Sequence, residues 1–353
     1  MSGRATTAAC ALAAALAACG SDPALDDADQ AWASTVARWQ TIAPITAAVV
    51  ADVSAGTSCD APIFEHAPDQ VVATGSTFKL YVLAAVAELV ADGRLAWDTP
   101  VTLDAGHLVP GRECTDIPTL PHCRGAGATM TVAELAAYMV KLSDNSATDH
   151  LLALVGGAPT IEALLGLLGH SAVARNQPLL ATRQMFALKL FDWPALADAY
   201  LGEPTVAARR AFLDEELAAL DPFDVWLTEG TAWVSTGPRA IDTIEWFSSP
   251  RDLCVGLLTL RAQLEADASG TLAEILTFEG ADAQRIDPDV WPFVGFKGGS
   301  EPGVRSSAVL ARHRSGRWIA VTMGFNDPDA MPDFDASVAT EVLDVLPLVD
   351  AAL

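Results

Sequence analysis

At 353 residues, with a formal net charge of −24, 51% hydrophobic residues and 19% charged ones, the chain is long enough to bury one large core or two lobes. A surface this acidic repels polyanions and anionic lipid headgroups, which excludes nucleic-acid binding and electrostatic membrane docking. Six histidines lie without metal-ligand spacing and no G-x-S-x-G elbow occurs, so the sequence speaks against a zinc hydrolase and an α/β-hydrolase, and calls for no metal or cofactor.

The N-terminus reads as a leader. Arg4 precedes an apolar run from Ala8 to Ala18, shorter than the roughly 20 residues of a spanning helix and suited to a secretory signal. It ends in Leu16-Ala17-Ala18-Cys19-Gly20, which resembles a bacterial lipobox. That resemblance implies removal of residues 1–18, lipid attachment at Cys19 and an exported lipoprotein anchored at the periplasmic or extracellular face of a membrane. Residues 19–30 then carry the lipid and a small, acidic tether from Ser21 to Gln30. Residues 31–353 remain as the folded domain.

A helix is predicted over Asp29–Ile42, a continuously apolar strand over Ile45–Val53 and a short strand around Ile63 and Phe64. Thr74-Gly75-Ser76-Thr77-Phe78-Lys79 then opens a helix carrying Leu80, Val82, Leu83, Val86, Leu89 and Val90, closed by Gly93. Ser76 and Lys79 are three residues apart and share a face of that helix. A serine hydroxyl needs an adjacent base to act as a nucleophile, and lysine is one only when desolvation or a second cation lowers its pKa. Lysine is scarce here: Lys79, Lys141, Lys189 and Lys297 are the only ones among 21 basic residues. Those that fall in motifs stand where arginine will not serve.

Thr131 and Glu134 form a capping box for the next helix, whose apolar face is Leu135, Met139 and Leu142. It ends at Ser143-Asp144-Asn145, after which Ala147, Leu151 and Leu152 begin another. Thr182-Arg183-Gln184-Met185-Phe186-Ala187-Leu188 opens a further helical stretch, and Ser248-Ser249-Pro250 marks a later helix start. The short apolar strand Phe293–Phe296 leads into Lys297-Gly298-Gly299-Ser300, where glycines permit close approach of a ligand backbone. Strands over Ser306–Arg312 and Trp318–Phe325 follow. An amphipathic helix over Asp335–Leu346 closes the chain, with Pro347 just beyond its end.

The order S-x-x-K (Ser76, Lys79), S-D-N (Ser143, Asp144, Asn145) and K-G-G (Lys297, Gly298, Gly299) resembles the active-site set of class A β-lactamases and penicillin-binding proteins. The resemblance implies an α/β (α+β) fold of the β-lactamase/transpeptidase kind, an antiparallel sheet built from both chain ends, and a helical lobe over about 104–290. It implies Ser76 as the acylated nucleophile, with Lys79, Ser143 and Lys297 moving protons. It further implies that Asn145 binds the substrate amide, that Gly298, Gly299 and Ser300 line the substrate strand, and that the N–H groups of Ser76 and Ser300 form an oxyanion hole.

Two departures from that pattern bear on function. In the Ω-loop the best register is Arg175-Asn176-Gln177-Pro178-Leu179-Leu180-Ala181, placing Gln177 where the family's glutamate activates the deacylating water, and Ala181 where its asparagine stands. An amide orients water but cannot accept its proton. Residues 182–246 read as an insertion that walls the active site or packs at its periphery, with Glu245 at its exit as a substitute base. Gly298 also lacks the usual hydroxyl after the lysine; Arg305 either compensates or forms a surface ion pair. The expected function is an exported serine hydrolase acting on a β-lactam or related acyl donor. The alternatives are a D-alanyl carboxypeptidase or esterase of the same fold, or a lipoprotein that holds β-lactams or wall peptides without turnover.

Cys114 and Cys123 bracket a proline-containing loop, and an oxidising compartment permits a local disulfide there. Connectivity is not readable from spacing. Cys59 is left unassigned, and Cys254, inside an apolar helical pattern, reads as a buried free thiol.

Overall fold

The computed structural model describes residues 23–56, 58–60, 62–330 and 341–353. The signal segment, Cys19 and the start of the predicted final helix lie outside the described residues. The chain begins with α1 (Pro23–Ile42), followed by β1 (Ile45–Asp52) and β2 (Pro62–His66). The predicted tether is therefore already helical from Pro23. Proline suits a first helical turn, where its missing N–H has no partner to lose, and Ala28 and Trp32 bury against the sheet beyond it.

A 3₁₀ turn at Gly75–Phe78 runs into α2 (Lys79–Ala91). Every residue from Lys79 to Ala87 is buried, as expected for a helix apolar on all sides. Packed around it are α3 (Val132–Lys141), α4 (Asn145–Leu154) and, after α5 (Thr182–Leu190), which packs on α4, the long α6 (Pro250–Ala266). The capping box predicted at Thr131 is present: its Oγ1 accepts from Glu134 N at 3.2 Å while Glu134 accepts from Thr131 N at 2.7 Å.

The chain returns through β3 (Phe293–Glu301), β4 (Val304–Arg312) and β5 (Trp318–Asn326), and ends in α7 (Glu341–Ala352). The sheet is antiparallel in the order β2-β1-β5-β4-β3, so strands from both chain ends pair at its centre, Ile45 opposite Asn326 through Asp52 opposite Ile319. Side chains alternate across it. Ala48 and Val50 face a core with Trp32, Trp39, Val345 and Val349 of the terminal helices, while Val49 and Ala51 face the helical lobe. Pro347 lies inside α7 rather than beyond it, because Val349 two residues later is fully buried and holds the helix on the sheet. Trp39 Nε1 and Arg38 clamp that helix to α1 by donating to Glu341 Oε2 at 2.6 and 2.5 Å.

Cys254 is not a free thiol. It bonds Cys59, 195 residues away, because α6 turns this position toward the loop after β1. Cys114 and Cys123 form the second disulfide.

Candidate active site

The site is assembled where β3 meets the turn before α2. Gly75 adopts φ +49°, and a Cβ there would lie 2.8 Å from Ser300 N. A Cβ on Gly299 would lie 2.0 Å from Thr74 O and 2.8 Å from Ser76 N. Only glycine permits this approach, which brings Ser76 and Ser300 into the wall of one cavity of about 250 Å³. Hydroxyls lock the junction: Ser306 Oγ and Thr77 Oγ1 both donate to Thr74 O, at 2.5 and 3.0 Å.

Lys79 is fully buried, and its Nζ donates to Ser143 O at 2.7 Å, Asn145 Oδ1 at 2.7 Å and Ser143 Oγ at 3.4 Å. Among the described residues, no carboxylate accepts from it. Asp149, the nearby acid on α4, spends its oxygens on Thr182 N, Thr182 Oγ1 and Arg183 N at the start of α5. Burial therefore lowers the Lys79 pKa to about 7, against a smaller opposing pull from Asp144 and Asp149. Lys297 Nζ donates to Ser143 Oγ at 3.0 Å and Gly298 O at 2.5 Å. Its pKa falls well below the usual lysine value, through burial first and the Lys79 charge second. Ser143 thus joins the two amines. It does so in the left-handed backbone region, φ +57°, a conformation that costs a non-glycine residue about 1–2 kcal/mol. Asp144 offsets part of that by capping α4, its Oδ1 accepting from Ala147 N at 2.6 Å.

Ser76, Asn145 and Ser300 line the cavity together, with Glu245, Glu301 and an apolar wall of Met185, Phe186, Trp226, Trp233 and Trp246. Much of that wall comes from residues 182–246. Gln177 is half-buried and does not line the cavity. Its neighbour Asn176 is pinned to Phe247 by bonds of 2.8 and 2.9 Å, and Leu179 and Leu180 sink into the helical core. Ala181 likewise stays outside, and the part of this segment that touches the motif residues is Thr182, whose Oγ1 donates to Asn145 O at 3.1 Å. Gly298 lies beside the site on β3, and Arg305 stands opposite Ser300 on β4.

Glu245 is 4% exposed. Its Oε2 accepts from Trp246 N at 2.5 Å, and Oε1 has no partner. Burial, and then the neighbouring Glu301, raise its pKa well above the carboxylate range. Glu301, Lys189 and Asp149 escaped the sequence reading. Lysine scarcity was the available signal for Lys189; nothing local distinguishes the two acids.

The model of the family described as "Beta-lactamase enzyme family" matches residues 43–342. Similar solved structures include a beta-lactamase from Chitinophaga pinensis, at 16% identity, covering 89% of this chain and 99% of that one, with a TM-score of 0.56. A variant of the last common ancestor of Gram-negative bacteria beta-lactamase class A is 19% identical, with coverages of 91% and 97% and a TM-score of 0.56. The structure of PBP-A is 15% identical, with coverages of 89% and 96% and a TM-score of 0.54. At these identities the likeness is one of fold. No curated protein matches the chain by sequence.

Proposed function

This chain belongs to the beta-lactamase enzyme family, and from that premise we propose that it is an exported serine hydrolase in which Ser76 attacks the amide or ester carbonyl of a β-lactam or related acyl donor and becomes acylated. The observation that carries this reading is Lys79: fully buried, bonded only to neutral oxygens, and with a pKa brought down to about 7. Such an amine has a free lone pair near neutrality and follows Ser76 by three residues, one turn of the 3₁₀ segment that runs into α2.

As Ser76 Oγ bonds the carbonyl carbon, Lys79 takes its proton. The main-chain N–H groups of Ser76 and Ser300 receive the charge developing on the carbonyl oxygen. The proton passes through Ser143, bonded to both lysines, to the departing nitrogen or oxygen as the acyl bond breaks. Lys297 supplies positive potential at the same hydroxyl. Asn145 is held by Lys79 with its amide N–H₂ left to bind the substrate carbonyl. Export and lipid attachment at Cys19 belong to the same proposal; the two disulfides, which persist in oxidising compartments, support export.

A second reading concerns the fate of the acyl-enzyme. Gln177 cannot accept a proton and does not line the cavity, which favours a D-alanyl carboxypeptidase or esterase, or a protein that traps its acyl donor. The test is to mix the purified chain with a chromogenic cephalosporin and follow colour release together with adduct mass. Steady turnover through a transient adduct on Ser76 supports the hydrolase. A single stoichiometric burst supports trapping. No adduct, with cleavage of simple esters retained in Ser76→Ala, would sink the mechanism.

A further inference from the structure

Beside the nucleophile lies a buried cluster that the acylation chemistry does not use. Lys189, fully buried on α5, donates to Glu301 Oε1 at 2.5 Å, and Glu301 is close enough to Glu245 for its charge to oppose ionisation there. Both acids line the cavity that holds Ser76. Two carboxylates and one ammonium leave one excess negative charge among largely buried groups, which is costly unless a proton neutralises it. The unpartnered atoms point the same way: each acid has one oxygen without a donor, Oε1 of Glu245 and Oε2 of Glu301. Two ionised carboxylates only accept hydrogen bonds, so a single proton between the pair supplies the missing donor. Arg239 does not supply it. Its guanidinium donates to Lys189 O at 2.6 Å and faces Glu229 at 4.0 Å.

We propose that Glu245 and Glu301 form a singly protonated carboxyl dyad that activates the water cleaving the Ser76 ester, with Lys189 as its counter-ion. This rests on the Ser76 acyl-enzyme proposed above. In the resting dyad the proton resides on Glu245, the acid whose pKa is raised further, and Glu301 is the carboxylate paired with Lys189. As the water oxygen bonds the acyl carbon, Glu245 takes one of its protons while its own passes to Glu301. When the acyl–Oγ bond breaks, the proton taken from water passes to Ser76 Oγ, releasing the carboxylic acid, and the proton on Glu301 returns to Glu245, restoring the starting state. Like-charged carboxyl pairs that cannot both ionise divide acid and base roles in this way. Burial raises both pKa values, that of Glu245 further, and so favours a proton held within the pair. The dyad supplies from the wall of the same cavity the base that Gln177 cannot provide.

The experiment is a rapid-mixing mass measurement of the cephalosporin adduct on the wild-type full chain, Glu245→Gln, Glu301→Gln and Lys189→Met. It is paired with infrared difference spectra of the carboxylic-acid carbonyl band. The expected result is a transient wild-type adduct that still forms in Glu245→Gln but persists about 100-fold longer or more. Lifetimes should also lengthen in the other two variants, and the acid band should disappear in both glutamine variants. An adduct that decays at the wild-type rate in Glu245→Gln overturns the dyad and leaves Ser76 acylation standing, as does a permanent wild-type adduct. Absence of any wild-type adduct overturns both. Should Glu245→Gln fail to fold, the wild-type band and the Glu301→Gln lifetime decide: no acid band, or an unchanged lifetime, refutes the proposal.

Discussion

Two amines meet at the Ser143 hydroxyl, and neither has a carboxylate hydrogen-bond partner among the described residues. The chemistry follows from that isolation. With the Lys79 pKa at about 7, the base is idle as an ammonium below that pH and active above it. The adduct-forming rate under limiting substrate should therefore rise with pH and level off above about 8, and a profile flat from pH 5 to 9 would contradict the assignment. Stability carries the same signature. A lysine whose pKa drops on folding binds more protons when unfolded between about 7 and its ordinary 10.5, so its penalty is complete below that window and fades as pH rises through it. Lys79→Met should accordingly gain most melting temperature over the wild type near pH 6 and least near pH 10. Ser143→Ala removes the joint between the amines and should slow adduct formation about 100-fold without loss of fold, measured by stopped-flow and circular dichroism.

At the level of elements, the site is a seam between the 3₁₀ turn before α2 and the edge strand β3. Its closeness depends on Gly75 and Gly299. In Gly299→Ala the new methyl meets Thr74 O, a main-chain atom that cannot swing aside. The expected cost is about 1–3 kcal/mol in urea unfolding, with a larger loss of acylation because the Ser76 and Ser300 N–H groups are driven apart. The apolar wall is a separate element, supplied by α5 and the tryptophan-bearing turns near Trp226 and Trp233. Trp226→Ala should weaken capture of acyl donors with aromatic side chains about 10-fold while leaving small esters nearly unaffected, read as a KM difference between the two classes.

The whole molecule is closed by contacts between its ends. β1 pairs β5, α1 and α7 share a core, and Arg38 and Trp39 reach Glu341 across the sequence. Within this closure the Cys59–Cys254 bond ties the loop after β1 to α6 across 195 residues, whereas Cys114–Cys123 spans 9. Loop-closure entropy grows with the enclosed length. Cys254→Ala should therefore cost roughly 2–5 kcal/mol and Cys123→Ala less, a ranking that denaturant unfolding of the two variants checks directly.

The three motifs and most helices and strands were legible because they depend on local patterns. Lys79 follows Ser76 by three residues, Thr131 and Glu134 cap their own helix, and β5 is apolar along its length. The family, and with it the fold, could be read from that order. Tertiary structure decided whatever depends on residues distant in the chain. Cys254 found Cys59, Val349 kept Pro347 inside a helix, and Asn176 bonded Phe247, leaving Gln177 off the cavity wall. Lys189, Glu245 and Glu301 converged although 112 residues separate the first from the last. A charge inside a protein takes its chemistry from the partners and the exclusion of water that packing imposes, and neither is encoded in the residues on either side of it.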